Sequence, residues 1–429
     1  MNVRRNVVHG VLGFMGPTMV VVASYPVLVR HLGAAVFGVY LLALSLSGTV
    51  MLLDLGFCAA TLKFVAGDLA AGRLREAADV IVTSLVGYAV LGALGGAAVA
   101  VLAPSLAGFF MIDEPAAAVL AFRLAALQFM MLLPAMVFVS VAKALGQFDR
   151  SAVFASLLSI ATYGGAVAAV LAGAGLGGAM AASVLANFAA SAAICFAGVR
   201  LCRARGIRLS RGRPIVFRRI LGFGWVLTVN SVAAFLLYQV QRYVAGVILG
   251  PVAMTVIQTA AVVPSKMHAA VSAATEVMFP FSGACRDRAR LRQVYLRMLL
   301  GSAAVALGGF AVLILLARPL LAIWLGAGLA ASVWPLLPIF ALGYFFLALS
   351  PAPFHLVNGL GRPGLNTLFY VMNALLNVTF LVAAAARGMT LHKLAWSFAA
   401  ANILTGICYQ IAVEAIIWRS EPRAAELAV

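Results

Sequence analysis

ILGFGWVLTVNSVAAFLLYQVQRYVAGVILG, residues 220–250, carries a single formal charge, Arg242, in a run that is otherwise apolar or weakly polar. A helix crosses the hydrocarbon core of a bilayer with about 20 such residues at roughly 1.5 Å each. A membrane β-strand would show alternating segments of about ten residues, and that pattern is absent. The question raised by this stretch is why Gln239, Gln241 and Arg242 stand inside it.

The rest of the chain is of the same kind. Soluble globular chains are roughly 45–50% apolar and about 25% charged. This chain of 429 residues is 64% hydrophobic and 10% charged, with a mean hydropathy of +1.09. It is therefore read as an all-α integral membrane protein. Twelve spans are predicted, near 7–29, 36–62, 80–102, 119–141, 152–171, 178–199, 220–249, 252–280, 298–317, 334–356, 366–386 and 392–417. MNVRRN at the start looks like a signal-peptide n-region. The apolar stretch behind it is too long and lacks a small-x-small cleavage site, so an uncleaved helix is expected.

The net charge of +18 follows from topology. Most Lys and Arg residues fall in alternate loops, at 63–79, 143–150, 200–219 and 286–297, with Arg30, Arg123, Arg318, Arg387 and Lys393 left for the other face. The positive-inside rule then places both termini in the cytoplasm. The excess of arginine needs no nucleic-acid partner. The richest patch, RLCRARGIRLSRGRPIVFRR (200–219), reads as a linker against anionic lipid, with docking of a protein partner as the rival. The five cysteines form no CxxC pair and the five histidines are scattered, so neither a metal site nor a cofactor is expected.

The basic linker divides the spans into two sets of six, 1–199 and 220–429. Leu32-Gly33 after span 1 recurs as Leu249-Gly250 after span 7, and Arg73-Leu74-Arg75 recurs at the same spacing as Arg290-Leu291-Arg292. Leu102-Ala103-Pro104 matches Leu316-Ala317-Arg318-Pro319, and Ala144-Leu145-Gly146-Gln147 matches Gly359-Leu360-Gly361-Arg362. An even number of spans per half keeps both copies in one orientation. The repeat is therefore parallel, about an axis along the membrane normal, and two such lobes frame a cleft suited to alternating access.

Charged groups within the hydrocarbon cost about 2.5–3.5 kcal/mol on insertion scales, so they face water or a partner. The interior set is Asp54, Arg242, Lys266 and Glu276, with Arg30 and Lys63 at span ends. On a helical wheel Thr228, Ser231, Tyr238 and Gln239 all fall within about 60° of Arg242, which makes one polar stripe. Its bland reading is interhelical glue. Lys266 lies roughly 20 Å from the outer surface, too deep for snorkelling alone, and follows Pro264 closely. The cations outnumber carboxylates at that depth, which favours an anion, and arginine's planar fork suits a phosphate. Arg30, Arg242, Lys266, Gln239 and Tyr238 are the expected substrate-binding residues. Asp54 and Glu276 sit at corresponding ends of spans 2 and 8 and could bind a coupling proton or sodium ion, or pair with a nearby arginine at the interface.

YPVLVRHLGAAVFGVYLLALSLSGTVMLLDLGF (25–57) resembles the opening signature of the polysaccharide-export branch of the multidrug/oligosaccharidyl-lipid/polysaccharide (MOP) exporter superfamily. Arg30, Leu32-Gly33, Phe37-Gly38, Tyr40, Asp54 and Gly56 fill the places of that signature. KALGQFDRS (143–151), GAGLGGAMAASVLANF (173–188) and ILGPVAMTVIQTAAVVPSKMHAAVSAATEVMFP (248–280) resemble later blocks. The resemblance implies a MATE-like fold and a Wzx-type flippase, which moves an undecaprenyl-pyrophosphate-linked oligosaccharide from the cytoplasmic to the periplasmic leaflet. It implies membrane lipid and other polysaccharide-assembly proteins as partners. Relatives often place an acidic residue in span 7 where this chain has Gln239 and Gln241, and the departure weighs against ion coupling through that helix.

Two other readings share some of these features. A cation-coupled small-molecule exporter would have the same fold but would want carboxylates in its lobes. A membrane-embedded polysaccharide polymerase or ligase would want a long external loop with catalytic groups. The longest external loop here is short, and no nucleophile, metal set or phosphate loop stands out, so an enzyme is not expected.

Overall fold

The computed structural model describes residues 3–50, 57–110, 112, 114–209, 214–285 and 287–419. Among the described residues every regular element is a helix. In the first half these are α1 (Val3–Leu32), α2 (Ala34–Val50), α3 (Phe57–Ala70), α4 (Leu74–Phe109), α5 (Pro115–Ala144), α6 (Phe148–Leu171) and α7 (Leu176–Ala204). The second half contains α8 (Pro214–Tyr238), α9 (Val240–Val244), a π-helix (Ala245–Leu249), α10 (Pro251–Thr275), α11 (Met278–Ala284), α12 (Arg288–Leu325), α13 (Ala327–Val333), α14 (Leu337–Ala348), α15 (Pro351–Gly359), α16 (Pro363–Ala386) and α17 (Leu391–Val413).

Nine spans among the described residues are long and apolar enough to cross a membrane. The remaining predicted spans, 7–29, 36–62 and 252–280, correspond to α1, to α2 with α3, and to α10 with α11. Polar residues Thr255, Gln258, Thr259, Ser265, Lys266, His268 and Ser272 dilute the hydropathy of α10, which fits an inward-facing helix. Helices also outrun the predicted spans. The span expected at 80–102 belongs to α4, and the one at 298–317 to α12, which begins at Arg288 and ends at Leu325. Hydropathy reports the apolar middle of a helix, whereas backbone hydrogen bonding continues into the polar ends.

The parallel repeat is written into the turns. Gly33 and Gly250 have φ of 79° and 84° and start α2 and α10. Gly146 and Gly361, at 72° and 75°, stand before α6 and α16, and Gly173 and Gly388, at 84° and 77°, before α7 and α17. Only glycine enters this left-handed region without steric cost, so matched glycines mark matched turns. The longest helices, α4 and α12, are also counterparts, and each carries an internal proline, Pro104 and Pro319.

Three large cores follow the halves. One joins α3 to α7 around Phe57, Tyr88, Phe129 and Phe138, and it takes in Ile207 within the basic linker and Ile220 just after it. A second gathers α10, α12, α14 and α17 around Phe340, Tyr344 and Phe398. The third, around Tyr25, Phe37, Tyr40 and Phe122, draws in Met254 and Val262 of the second half.

The two halves meet most closely where few loops are basic. Thr255 Oγ1 donates to the Ala34 carbonyl at 2.6 Å, and a Cβ on Gly38 would overlap the Pro251 carbonyl. Ala34 corresponds to Pro251 and Gly38 to Thr255 under the repeat, so α2 and α10 cross on the pseudo-symmetry axis. Nearby, Trp324 Nε1 donates to the Val22 carbonyl at 3.1 Å and its ring stacks on Tyr25. On the basic face α8 rests on α3. Arg219 lies 3.6 Å from the buried Asp68 carboxylate and over the Phe64 ring, and Arg73 bonds the same carboxylate at 2.7 Å.

Candidate functional site

Span 7 is not one regular helix. Helix α8 stops at Tyr238, Gln239 falls between α8 and α9, and a π-helix carries the chain on to Gly250. Uneven winding of this kind recurs at functional sites in helices. It shifts Arg242 from the azimuth expected on a regular wheel, but the side chain stays linked to the stripe, because Arg242 Nη1 donates to Gln239 Oε1 at 3.0 Å. Tyr238, Gln239 and Arg242 are each half-buried, as are Thr228 and Ser231. Gln241 has the other role: it is buried, and its Nε2 donates to Asn377 Oδ1 of α16 at 3.4 Å. The two glutamines thus divide into a lining residue and a packing residue.

Arg242 occupies a place between the halves. Its guanidinium is within electrostatic reach of Lys266 on α10 and Tyr344 on α14, and of Tyr25 on α1 and Tyr163 on α6. Two of the expected cations therefore lie within electrostatic reach of one another, and tyrosines of both halves lie within reach of Arg242. Like charges in a poorly hydrated site repel, and an anion between them relieves that repulsion. The tyrosines were not legible as site residues, because nothing in their local sequence separates them from ordinary aromatic packing.

Other expected residues lie elsewhere. Arg30, exposed, sits about 7–8 Å beyond Tyr25 along α1, counting 1.5 Å per residue. Its Nη2 donates to the Ile323 carbonyl at 2.7 Å, so here it braces the joint between α1 and α12. Glu276 is exposed where α10 gives way to α11, within electrostatic reach of Lys143 at the end of α5. Asp54 lies outside the described residues. No cluster of metal-binding side chains occurs among the described residues.

A second polar region lies in the second half, where helices break. A cavity of about 110 Å³ is lined by Tyr238 at the end of α8, Ser350 between α14 and α15, Pro351 at the start of α15, and side chains of α10, α16 and α17. The sequence carried one signal for it, the helix-breaking run Ser350-Pro351-Ala352-Pro353.

With this geometry in hand, comparisons with known proteins fix the class. A family model described as polysaccharide biosynthesis protein matches residues 27–333. The chain is also similar, at 22% identity over 86% of its length and 88% of the relative's, to a Shigella flexneri protein provisionally named an O-antigen transporter. Among solved structures, it aligns with the MATE multidrug transporter DinF-BH at a TM-score of 0.69, with 15% identity over 97% of this chain and 96% of that one. A MOP-superfamily transporter from Pyrococcus furiosus aligns at 0.66, with 16% identity over 96% and 95%. An inward-facing MATE-family multidrug resistance transporter gives the same score, with 16% identity over 94% and 96%. These structural likenesses establish a MOP-superfamily fold. The chain belongs to the polysaccharide biosynthesis protein family, and it is a multi-pass membrane protein.

Proposed function

We propose that the chain is a flippase for an undecaprenyl-pyrophosphate-linked oligosaccharide, the repeat unit of an O-antigen, capsule or exopolysaccharide, in a bacterial inner membrane. The halves 1–199 and 220–429 act as lobes on either side of the linker 200–219 and expose the cleft to each face in turn. The basic face is cytoplasmic, with both termini on it.

The electrostatic reach of Arg242 to Lys266 between the halves carries this reading. A pyrophosphate offsets both their mutual repulsion and their lost hydration, and it accepts the arginine fork in a bidentate fashion. Tyr238 and Gln239 extend the lining, while the lipid tail stays in the bilayer. Arg30 engages the head group when the joint with Ile323 opens. The relative from Shigella flexneri supports a glycan as cargo. Asp54 and Glu276 serve as the proton- or sodium-sensing carboxylates.

Replacing Arg242 by Gln, at matched membrane levels, should lower surface polysaccharide about tenfold or more, as expected for lost charge-assisted hydrogen bonds, and lipid-linked repeat units should accumulate in the cell. Unchanged export would overturn the assignment. Coupling is tested separately in vesicles: flipping should respond to an imposed pH or sodium gradient, and the response should vanish in Glu276→Gln or Asp54→Asn. Indifference of the unmodified protein to both gradients would remove the coupling.

A further inference from the structure

The cavity in the second half has a chemistry distinct from that of the Arg242 and Lys266 pair. None of its lining residues is Lys, Arg, Asp or Glu. Aromatic rings, among them Tyr238, Phe354 and Tyr370, form much of its wall. Four of its lining residues carry a buried polar atom with no hydrogen-bond partner among the described residues: His268 Nδ1, His355 Nε2, Asn373 Oδ1 and Thr405 Oγ1. Asn373 and Thr405 are 6% and 5% exposed. Leaving such groups unpaired costs about 1–3 kcal/mol each, and turning these four side chains toward the space they line would let a ligand there pair with them. The space of about 110 Å³ is several times the roughly 10–15 Å³ that accommodates one water.

Two of its other polar side chains, Asn366 and Tyr409, are already engaged. Asn366 Nδ2 donates to the Phe354 carbonyl at 2.9 Å and to Asn358 Oδ1 at 2.8 Å, and Tyr409 donates to Asn366 Oδ1. Asn373 Nδ2 donates to Asn402 Oδ1 at 3.0 Å, which fixes the amide and leaves its oxygen as the free acceptor. The unpaired set is thus preorganised by a satisfied one.

We infer that this cavity is a neutral subsite for a sugar ring. A pyranose presents an apolar C–H face and a rim of hydroxyls that both donate and accept. Aromatic walls match the face, and imidazole, amide and hydroxyl groups match the rim without demanding charge. Tyr238 lines the cavity and stands four residues before Arg242, so the subsite lies near that arginine along span 7. The inference rests on the flippase reading and deepens it: Arg242 and Lys266 hold the pyrophosphate, and the cavity holds a sugar of the attached glycan.

The test uses the full-length protein in nanodiscs and two probes. Saturation-transfer NMR reports binding of methyl glycosides of glucose, galactose, N-acetylglucosamine and rhamnose, and phosphorus NMR reports binding of inorganic pyrophosphate. At least one glycoside should receive saturation and keep it in the presence of saturating pyrophosphate. Thr405→Val, which preserves shape and removes the hydroxyl, should weaken that glycoside about fivefold, and Thr405→Ser should restore it. Thermal melting verifies that both variants are folded, and Asn373→Leu provides the same comparison if Thr405→Val does not fold. No transfer to any glycoside, or transfer indifferent to both substitutions, overturns the subsite. If pyrophosphate fails to bind while a Thr405-dependent glycoside signal persists, the subsite stands and the head-group reading falls. Pyrophosphate binding with no glycoside signal overturns the subsite and leaves the head-group reading standing.

Discussion

The two halves share their turns and differ in the continuity of their helices. Spans 1 and 4 are the unbroken helices α1 and α5, despite internal prolines at positions 17, 26 and 134. Their counterparts break: span 7 into α8, α9 and a π-helix, and span 10 into α14 and α15. The buried polar groups differ accordingly. In the first half, Gln128 and Asn187 each donate to Thr162 Oγ1, at 3.3 and 2.9 Å, and Ser183 donates to the Thr162 carbonyl at 2.7 Å. In the second half the corresponding helices surround the cavity. Among the described residues both halves keep buried polar atoms without a partner, Gln128 Oε1, Asn187 Oδ1 and Ser191 Oγ in the first among them, but in the second half four residues that carry such an atom line one cavity. The difference teaches that a repeat can fix architecture while breaks in its helices decide where a cavity lined by polar side chains forms.

The largest effect is expected where the halves cross. Gly38→Leu would drive a side chain into the Pro251 carbonyl, and the α2–α10 crossing could not form. We expect loss of several kcal/mol or of folded protein altogether, by the scale of severe overpacking against backbone, read as the thermal midpoint in detergent. A stable Gly38→Leu protein would show that the crossing is dispensable.

Arginine at two places separates the site from the joint. Arg242→Gln should abolish most export with the melting temperature nearly unchanged. Arg30→Gln should lower stability by about 1 kcal/mol through loss of the bond to the Ile323 carbonyl, with a smaller effect on export. Equal export defects would mean that both arginines meet the cargo.

The matched turns provide a finer test. Gly33→Ala and Gly250→Ala should each cost about 1–2 kcal/mol, because alanine at φ near +80° is strained whatever space surrounds it. Markedly unequal costs would break the equivalence of the halves. The smallest effect belongs to Trp324→Phe, which retains ring stacking on Tyr25 and loses one hydrogen bond, about 1 kcal/mol.

Much of the fold was legible in the sequence because the bilayer imposes a simple rule: backbone groups must be satisfied within each span, so long apolar runs become helices. The site was legible only in part. Arg242 and Lys266 stood out because a charge in hydrocarbon is costly wherever it sits. Tyr25, Tyr163 and Tyr344 did not, since an aromatic residue is ordinary in such a helix. Asp68 was overlooked as an interior charge, lying near a loop in sequence although buried beneath Arg73 and Arg219. The histidines were read as scattered, yet His268 and His355 line one cavity from distant parts of the chain.

By itself the sequence determined the membrane class, the helices, the parallel repeat and the presence of buried cations. Those properties depend on composition and on local spacing, which one chain displays in full. Only the tertiary structure decided which cations lie within reach of one another, which glutamine lines and which packs, and which unpaired polar side chains share a cavity. Those are distances between helices far apart in sequence, set by close packing and by breaks such as the one at Gln239, and no local pattern encodes them.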